Sequence, residues 1–592
     1  MELVPGIKLA VQTVLAEKYN YKIEFRDILV NETKPEFTGD YTVVLFSFSK
    51  FLQESPDVLG KTIGEALISL KPDWFANFNI IKGFLNLVIA DGILVSFLND
   101  QYDNGAYGIQ AANGRRVMVE YSSPNTNKPL HLGHLRNNFL GWSVAAIYKA
   151  LGYEIIKTCI ANDRGIHICK SMVAWKHFAN GSSPETTGIK GDHFVGDYYV
   201  LFGIELKKQT ESLMASGFTK EMAEKEAPLM KETQQMLVDW EAAVPEVIAL
   251  WKKMNSWVYA GFDVTYKRIG SDFDKIYYES QTYLLGKDMV EMGLKTKVFF
   301  QKEDGSVWID LRNDGLDEKI VQRSDGTAVY MTQDIGLAVD KYEEYHADLS
   351  IYVVADEQNY HFKVLKLICQ KLQLPSAVGL FHLSYGLVEL PSGRMKTREG
   401  TVVDADDIID EMTAIAAKHT EELGKVDDFT NEERNELYDI IGLGALKFFL
   451  LRVDPKKRMV FNPEESIDFH GFTGPFIQYT HARIKSILRK ESVGDFPQQE
   501  LTGLLPLEKE LLISLEKYSS ILQQACNEMN PSLVANYIFS VAKIFSSFYT
   551  EHSVSRAESE NKKQLRLRIC VMTANIIQSG MKLLGIKVPE RM

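Results

Sequence analysis

The sequence predicts an α/β protein: a parallel sheet with helices on both faces, preceded by a small α+β unit and followed by an all-α region. Three observations carry that expectation. From Val117 onward, short apolar runs such as VMVEYS and YEIIKTCI alternate with amphipathic stretches, the pattern of strands buried on both faces. Before that point, the alternating runs 41–48 and 80–89 read as strands and residues 7–19 as a helix. Beyond Asp404, apolar residues recur at helical spacing from Phe476, Leu504, Leu533 and Leu565.

Taken in order, the first unit covers residues 1–108 and closes in the polar, Gly-rich stretch YDNGAYGIQAANGRR. VMVEYS opens the sheet. LHLGHLRNNFLGWSVAAIYKALG follows as a long helix stopped by Gly152, and YEIIKTCI is the next strand. Residues 190–260 are charge-rich and helical, an insertion into the sheet domain. Strand patterns return with SVWIDL, TAVYMT, LSIYVVA and LFHLSYGLVEL. The expected domains are therefore 1–108, 109–404, a helical stem 405–469, and an all-α domain 470–592. A length of 592 residues suits about three to five domains.

Composition narrows the class. At 45% hydrophobic and 24% charged, the chain is neither disordered nor fibrous. Five cysteines without a CxxC pair argue for thiols in a reducing compartment and against a structural zinc. MELVPGIKLA lacks the charged-then-apolar pattern of a leader. The most apolar stretch, 83–98, is broken by Asn86 and Asp91 and is too short to span a bilayer. A soluble, cytoplasmic protein without a membrane partner is expected. The net charge of −13 opposes indiscriminate polyanion binding, yet residues 470–592 hold 15 Lys and Arg against 11 Asp and Glu, a local +4 that leaves −17 elsewhere.

Two segments carry chemistry. SSPNTNKPLHLGHLR (122–136) lies where a strand passes into a helix, the ligand edge of a parallel sheet, and helix N–H groups there favour phosphate. His131 and His134 share a face of the first turn, with Gly133 between them leaving the backbone approachable. Two imidazoles so placed can hydrogen-bond a triphosphate as its charge redistributes. Read alone, they are equally two polar residues at a helix start. Zinc is disfavoured, since there is neither HExxH nor a third ligand. PSGRMKTREGTVV (391–403) sets Arg394, Lys396 and Arg398 between Gly393 and Gly400, either a solvated basic hairpin or a loop that neutralises a polyphosphate.

In this order, the two segments resemble the HIGH and KMSKS motifs of class I aminoacyl-tRNA synthetases. NDRG, SDGTAVYMTQDIGLA, VVADEQNYHF and GPFIQYTHARI narrow the resemblance to the arginyl-tRNA synthetases, and it extends to the closing LLGIKVPERM. The family implies a class I synthetase fold with a Rossmann-type parallel-sheet catalytic domain, an N-terminal α+β domain that reads the tRNA elbow, and an all-α anticodon-binding domain. It implies ATP with Mg²⁺, L-arginine and tRNA(Arg) as substrates, no resident structural metal, and a monomer. Activation is expected to need bound tRNA.

The resemblance also assigns residues. His131, Gly133, His134, Lys128, Lys396 and Arg398 are expected to carry catalysis. Aligned on Met395, Arg394 replaces the first Lys of KMSKS, Lys396 the Ser, and Thr397 the second Lys, whose work falls to Lys128. His131, His134, His361, Met395 and Lys396 are expected at ATP. Tyr330, ending a strand, and Asp334, opening the next helix, are expected to read the guanidinium, with Glu120 as second carboxylate. A planar five-donor cation requires such acceptors. Ser123, Asn125, His134 and Gln358 are expected at the α-amino and carboxylate groups. Left unpaired against an uncharged analogue, these carboxylates would discriminate about 10⁴-fold, so no editing domain is demanded.

For tRNA, Arg452, Lys456, Lys457 and Arg458 are expected at the inner bend. Arg483 and Lys485 lie in HARIKSILRK, one of two basic stretches, with NKKQLRLR, in a helical region carrying Tyr479, Tyr537 and Tyr549. Small nucleotidyltransferases that use HxGH are much shorter and lack such a domain. A catalytically dead paralogue is opposed by the intact His131, Gly133, His134, Tyr330 and Asp334.

Overall fold

The computed structural model describes residues 2–391, 403–422, 426, 428–494 and 503–592. Its first unit is an antiparallel sheet of order β1-β2-β4-β3, formed by β1 (Val30–Glu32), β2 (Tyr41–Val44), β3 (Phe75–Ile81) and β4 (Phe84–Ile89). Helices Leu3–Tyr19 and Pro56–Leu70 accompany it. The run expected as a strand to residue 48 stops at Val44, which pairs with Phe84, the first residue of β4. Beyond it β2 has no partner ladder, and Phe46–Leu52 turns helical instead.

The central sheet has five strands, all parallel, in the order β12-β11-β5-β6-β7. These are β5 (Arg116–Glu120), β6 (Glu154–Ala161), β7 (Lys275–Tyr278), β11 (Leu349–Ala355) and β12 (Leu380–Tyr385). Helix Leu132–Ala150 joins β5 to β6, and helix Asn359–Lys371 joins β11 to β12. Strand order reverses at β5, which pairs with both β6 and β11, so the crevice above the carboxyl ends of β5 and β11 is the switch point where ligands bind in such sheets. Between β6 and β7 stand six helices, Ile166–Phe178, Pro184–Thr187, Gly191–Ala215, Lys220–Glu226, Pro228–Glu241 and Pro245–Ile269.

Two expected sheet strands go elsewhere. SVWIDL supplies β9 (Val307–Ile309) to a separate antiparallel sheet with β8 (Phe299–Gln301) and β10 (Lys319–Gln322). TAVYMT forms only a bridge, Gln322 to Ala328, and helix Tyr330–Tyr345 begins inside it. Asp325 builds the turn, its Oδ1 accepting from the Thr327 N–H at 2.9 Å and hydroxyl at 2.7 Å. Thr332, Ile335 and Gly336 are then buried at helical spacing.

From Ala405 onward the chain is mainly helical: Ala405–Glu422, Asn431–Leu451, Gly474–Leu488, Pro506–Glu516, Tyr518–Glu528, Pro531–Glu551 and Glu560–Leu583. A short parallel pair, β13 (Val388–Glu389) with β14 (Met459–Val460), ties it to the sheet domain. NKKQLRLR is not a basic surface. Glu508, wholly buried, accepts from Lys562 at 2.5 Å and from Arg566 at 2.8 Å, while Arg568 donates to Asn99 at 2.7 Å. Tyr537 is buried likewise, its hydroxyl donating to the Ser514 carbonyl. One apolar cluster runs through the first unit, the helix Leu132–Ala150 side of the sheet, and the C-terminal helices. Among the described residues, no helix is long and apolar enough to cross a membrane.

Candidate active site

Beyond β5 the chain crosses the carboxyl edge of the sheet in a constrained path. Ser122 and Ser123 take left-handed backbone angles (φ 77° and 47°), uncommon for non-glycine residues and held here by dense bonding. The Ser122 N–H donates to Asn137 Oδ1 at 2.6 Å, and its hydroxyl lies 2.7 Å from the Tyr266 hydroxyl. Asn162 of NDRG donates to the Ser123 carbonyl at 3.2 Å, and its backbone bridges Asn125. Ser123 is half-buried and Asn125 exposed, both on the crevice rim.

His131 caps the following helix. Its Nδ1 accepts the Gly133 N–H at 3.1 Å, and His134 Nδ1 accepts the His131 N–H at 3.1 Å. The two rings lie 3.9 Å apart, centroid to centroid. Because each Nδ1 is an acceptor, each proton sits on Nε2, and both imidazoles are neutral donors. Burial and the nearby Lys128 ammonium favour that form, lowering His131 to about 3 and His134 well below its ordinary range. Gly133 has a second justification: a Cβ there would stand 3.0 Å from the His131 ring. Lys128 is largely buried, which lowers its pKa, and among the described residues no carboxylate lies within 4 Å of its ammonium. A cavity of about 200 Å³ lined by Lys128, His131, His193, Asp197, Tyr199 and Asp404 adjoins the pair. Arg394, Met395, Lys396, Thr397 and Arg398 lie outside the described residues.

Across the crevice, Tyr330 is the first residue of its helix rather than the last of a strand, and is 71% exposed. Asp334, one turn on, accepts from His361 Nε2 at 2.6 Å. Gln358 follows β11 in a short 3₁₀ turn and is exposed at the lip. Glu120 is the last residue of β5. Strand alternation turns it to the same face as Met118, beneath helix Tyr330–Tyr345, where the buried Lys341 ammonium closes on its carboxylate.

Glu279, which the sequence did not single out, is a further acid here. It follows directly on β7 at the sheet's ligand edge, and burial raises its pKa to about 7 against the pull of Arg164, with Asp163 and Asp334 adding to the rise. The signal was present: an acidic residue ending KIYYE, a run not recognised as a strand. Arg136 was also missed. Almost wholly buried, it donates to the carbonyls of Gly386 (2.7 Å), Lys457 (2.9 Å) and Pro455 (3.3 Å), fastening β13 and the 454–457 turn to the histidine-bearing helix.

The basic segments separate by burial. Arg452 is interior: its guanidinium donates to Glu465 at 3.0 Å and to the Phe472 carbonyl, and stacks 4.1 Å from the Phe449 ring. Lys456, Lys457 and Arg458 are exposed at the crevice lip, Arg458 lying 3.5 Å from Asp356. Lys485 is paired to Glu590 at 3.1 Å. Arg483 stacks on Tyr479 and Tyr549, 4.7 and 5.3 Å from their centroids, in a cavity of about 370 Å³ also lined by Arg489, Arg591 and Met592.

Residues 97–462 match the family model of class I (R) tRNA synthetase catalytic domains, and 477–592 match the DALR anticodon binding domain. The chain is 51% identical over 589 residues to an arginine–tRNA ligase of Parabacteroides distasonis, covering 98% of each. It is 50% identical over 598 residues to that of Bacteroides thetaiotaomicron, covering all of both. Among solved structures, arginyl-tRNA synthetase of Thermus thermophilus superposes with a TM-score of 0.79 at 23% identity over 99% of each chain. That of Plasmodium falciparum superposes at 0.78 and 19% identity over both whole chains. At these identities the two structures attest the fold.

Proposed function

The chain belongs to the class I arginyl-tRNA synthetases, and on that premise we propose which of its residues carry each step. The enzyme uses ATP to join L-arginine to tRNA(Arg), releasing AMP and pyrophosphate. In the first step an arginine carboxylate oxygen bonds to the α-phosphorus as the bond to the β-phosphate oxygen breaks. In the second, a ribose hydroxyl of the terminal adenosine (the 2′-OH by class analogy) attacks the arginyl carbonyl and AMP leaves. Neither step demands a protein nucleophile, so the site acts by placing donors where charge develops.

The paired histidines carry this reading. With both Nδ1 atoms engaged by backbone N–H groups, the Nε2–H of His131 and His134 are the donors offered to the triphosphate, and they stay neutral donors throughout the physiological range. Lys128 adds the fixed positive charge. Met395, Lys396 and Arg398 are assigned to the same triphosphate by motif alone. Mg²⁺ arrives with ATP as part of that substrate.

Asp334, with Glu120 as second carboxylate and Glu279 as a further acid at the edge, reads the guanidinium, and Tyr330 covers it. His361 orients Asp334 while facing the nucleotide. Ser123, Asn125 and Gln358 on the rim take the α-amino and carboxylate groups. Lys456, Lys457 and Arg458 meet the tRNA's inner bend, Arg483 with its two tyrosines receives an unpaired base, and the first unit reads the elbow. We place the enzyme as a cytoplasmic monomer without a membrane partner.

The test is arginine-dependent ATP–pyrophosphate exchange with and without tRNA. Exchange that appears only when both arginine and tRNA are added is the expected result, and no exchange under either condition overturns the residue assignments.

A further inference from the structure

We propose that His193 is a positioning residue for His131: as an imidazolium it clamps Asp404 and Asp406, and so fixes the backbone on which the catalytic histidine rests. The inference rests on the reading of His131 as a triphosphate donor.

The clamp is built from three distant parts of the chain. His193, in the first turn of helix Gly191–Ala215, holds Nε2 3.3 Å from Asp404 Oδ2 and 3.2 Å from Asp406 Oδ2. Lys190 reaches Asp406 at 2.6 Å and Asp192 at 3.0 Å, and Thr265 of helix Pro245–Ile269 donates to Asp406 at 3.0 Å. The Asp406 N–H donates to Asp404 Oδ1 at 2.8 Å, locking the turn. The backbone between these carboxylates is what touches the active site. Ala405 N–H donates to the Leu130 carbonyl at 3.0 Å, Leu132 N–H donates to the Val403 carbonyl at 3.3 Å, and Asp404 bridges His131 itself.

Three carboxylates, those of Asp192, Asp404 and Asp406, thus converge on two cations. The same oxygens and His193 nitrogen lie close enough to hold a metal ion, but Lys190 already occupies Asp406 and an imidazolium cannot ligate. An imidazolium is what the surroundings demand. Asp404 and Asp406 face the ring from the Ala405–Glu422 side, Asp192 and Asp197 from its own helix, and Thr265 from the third, with the cations Lys190 and Lys128 opposing. The carboxylates prevail and raise His193 to about 10. A neutral side chain would leave Asp404 and Asp406 repelling each other beside His131. A displacement of about 1 Å there is worth up to about 10²-fold in rate.

Four variants test this in tRNA-supplemented exchange, with melting temperature as the control for folding. His193→Gln should lower kcat about 10- to 100-fold with little change in KM for ATP or arginine. His193→Lys, which restores the charge, should recover most of that loss. Adding Asp404→Asn to His193→Gln should cost little more. A His193→Gln enzyme as active as the parent overturns the proposal, as does a Lys variant no better than Gln. Should Gln prevent folding, the ¹⁵N titration of the parent's histidines decides: an imidazole that stays charged above pH 8 is expected, and its absence overturns the clamp. His131→Ala separates the two readings. If it leaves exchange intact, the assignment of His131 fails; if it abolishes exchange while His193→Gln does nothing, only the clamp fails.

Discussion

Asp334 and Glu279, proposed for the substrate guanidinium, stand on two elements, and their environments differ enough to give separate signatures. Asp334 already accepts a hydrogen bond from His361, and Asp334→Asn should raise the arginine KM far more than the ATP KM. Equal effects on both would make Asp334 a structural residue. Glu279, raised to about 7 without substrate, must ionise before it can pair with a guanidinium. It is protonated below that pH, so arginine affinity should fall as pH drops through about 7, and Glu279→Gln should abolish this dependence in KM-versus-pH profiles. At this scale the sequence was legible where a motif dictated local geometry. His131, Gly133 and His134 are adjacent in the chain, and their bonding is local. The pairing of Glu120 with Lys341, 221 positions away, was not legible. No short-range pattern distinguishes a strand-end carboxylate that binds ligand from one closed by a distant ammonium.

The element that organises the site is helix Leu132–Ala150, and Arg136 extends its reach. Its donors satisfy carbonyls on two turns that have no other tie to that helix among the bonds described above. Lysine cannot reproduce a planar fork with several N–H groups, and orphaned buried carbonyls cost about 1–3 kcal/mol each. Arg136→Lys should therefore lower stability by about 2–3 kcal/mol, seen as a reduced melting temperature, and should weaken exchange because β13 and the basic 456–458 lip shift together. An unchanged melting temperature would show the carbonyls can turn to water. Elements were legible where periodicity was long: the parallel strands and the C-terminal helices follow the apolar pattern. Short segments failed for stated reasons. Residues 45–48 had strand composition but no ladder to join, and TAVYMT alternates only until Thr332 and Ile335 bury at helical spacing. NKKQLRLR counts as basic by composition, yet three of its cations point inward to Glu508 and Asn99.

Over the whole molecule, charge is partitioned rather than averaged, and several cations behind the +4 of residues 470–592 are engaged within the protein. Arg483 lies framed by two tyrosines in its cavity. Stacking on an unpaired base is worth about 1–3 kcal/mol, so Arg483→Ala should raise the tRNA KM about 5- to 100-fold while leaving arginine activation at saturating tRNA intact. An unchanged tRNA KM would move base recognition elsewhere. The domain order was readable from composition, but the closure of the molecule was not. The first unit is held by the last: Leu3 N–H donates to Glu516 at 2.6 Å, Leu504 N–H to Asp91 at 2.9 Å, and Lys509 pairs with Asp40 at 2.9 Å. A ribosome adds about 5–20 residues per second, so the partners of Leu3, 513 positions downstream, emerge roughly 25 to 100 s after it. For that interval helix Asp91–Gln101 lacks its partners, helices Pro506–Glu516 and Glu560–Leu583. An enzyme that supplies translation thus leaves its own N-terminal unit waiting on translation's pace, and slow synthesis prolongs the period in which that unit can aggregate.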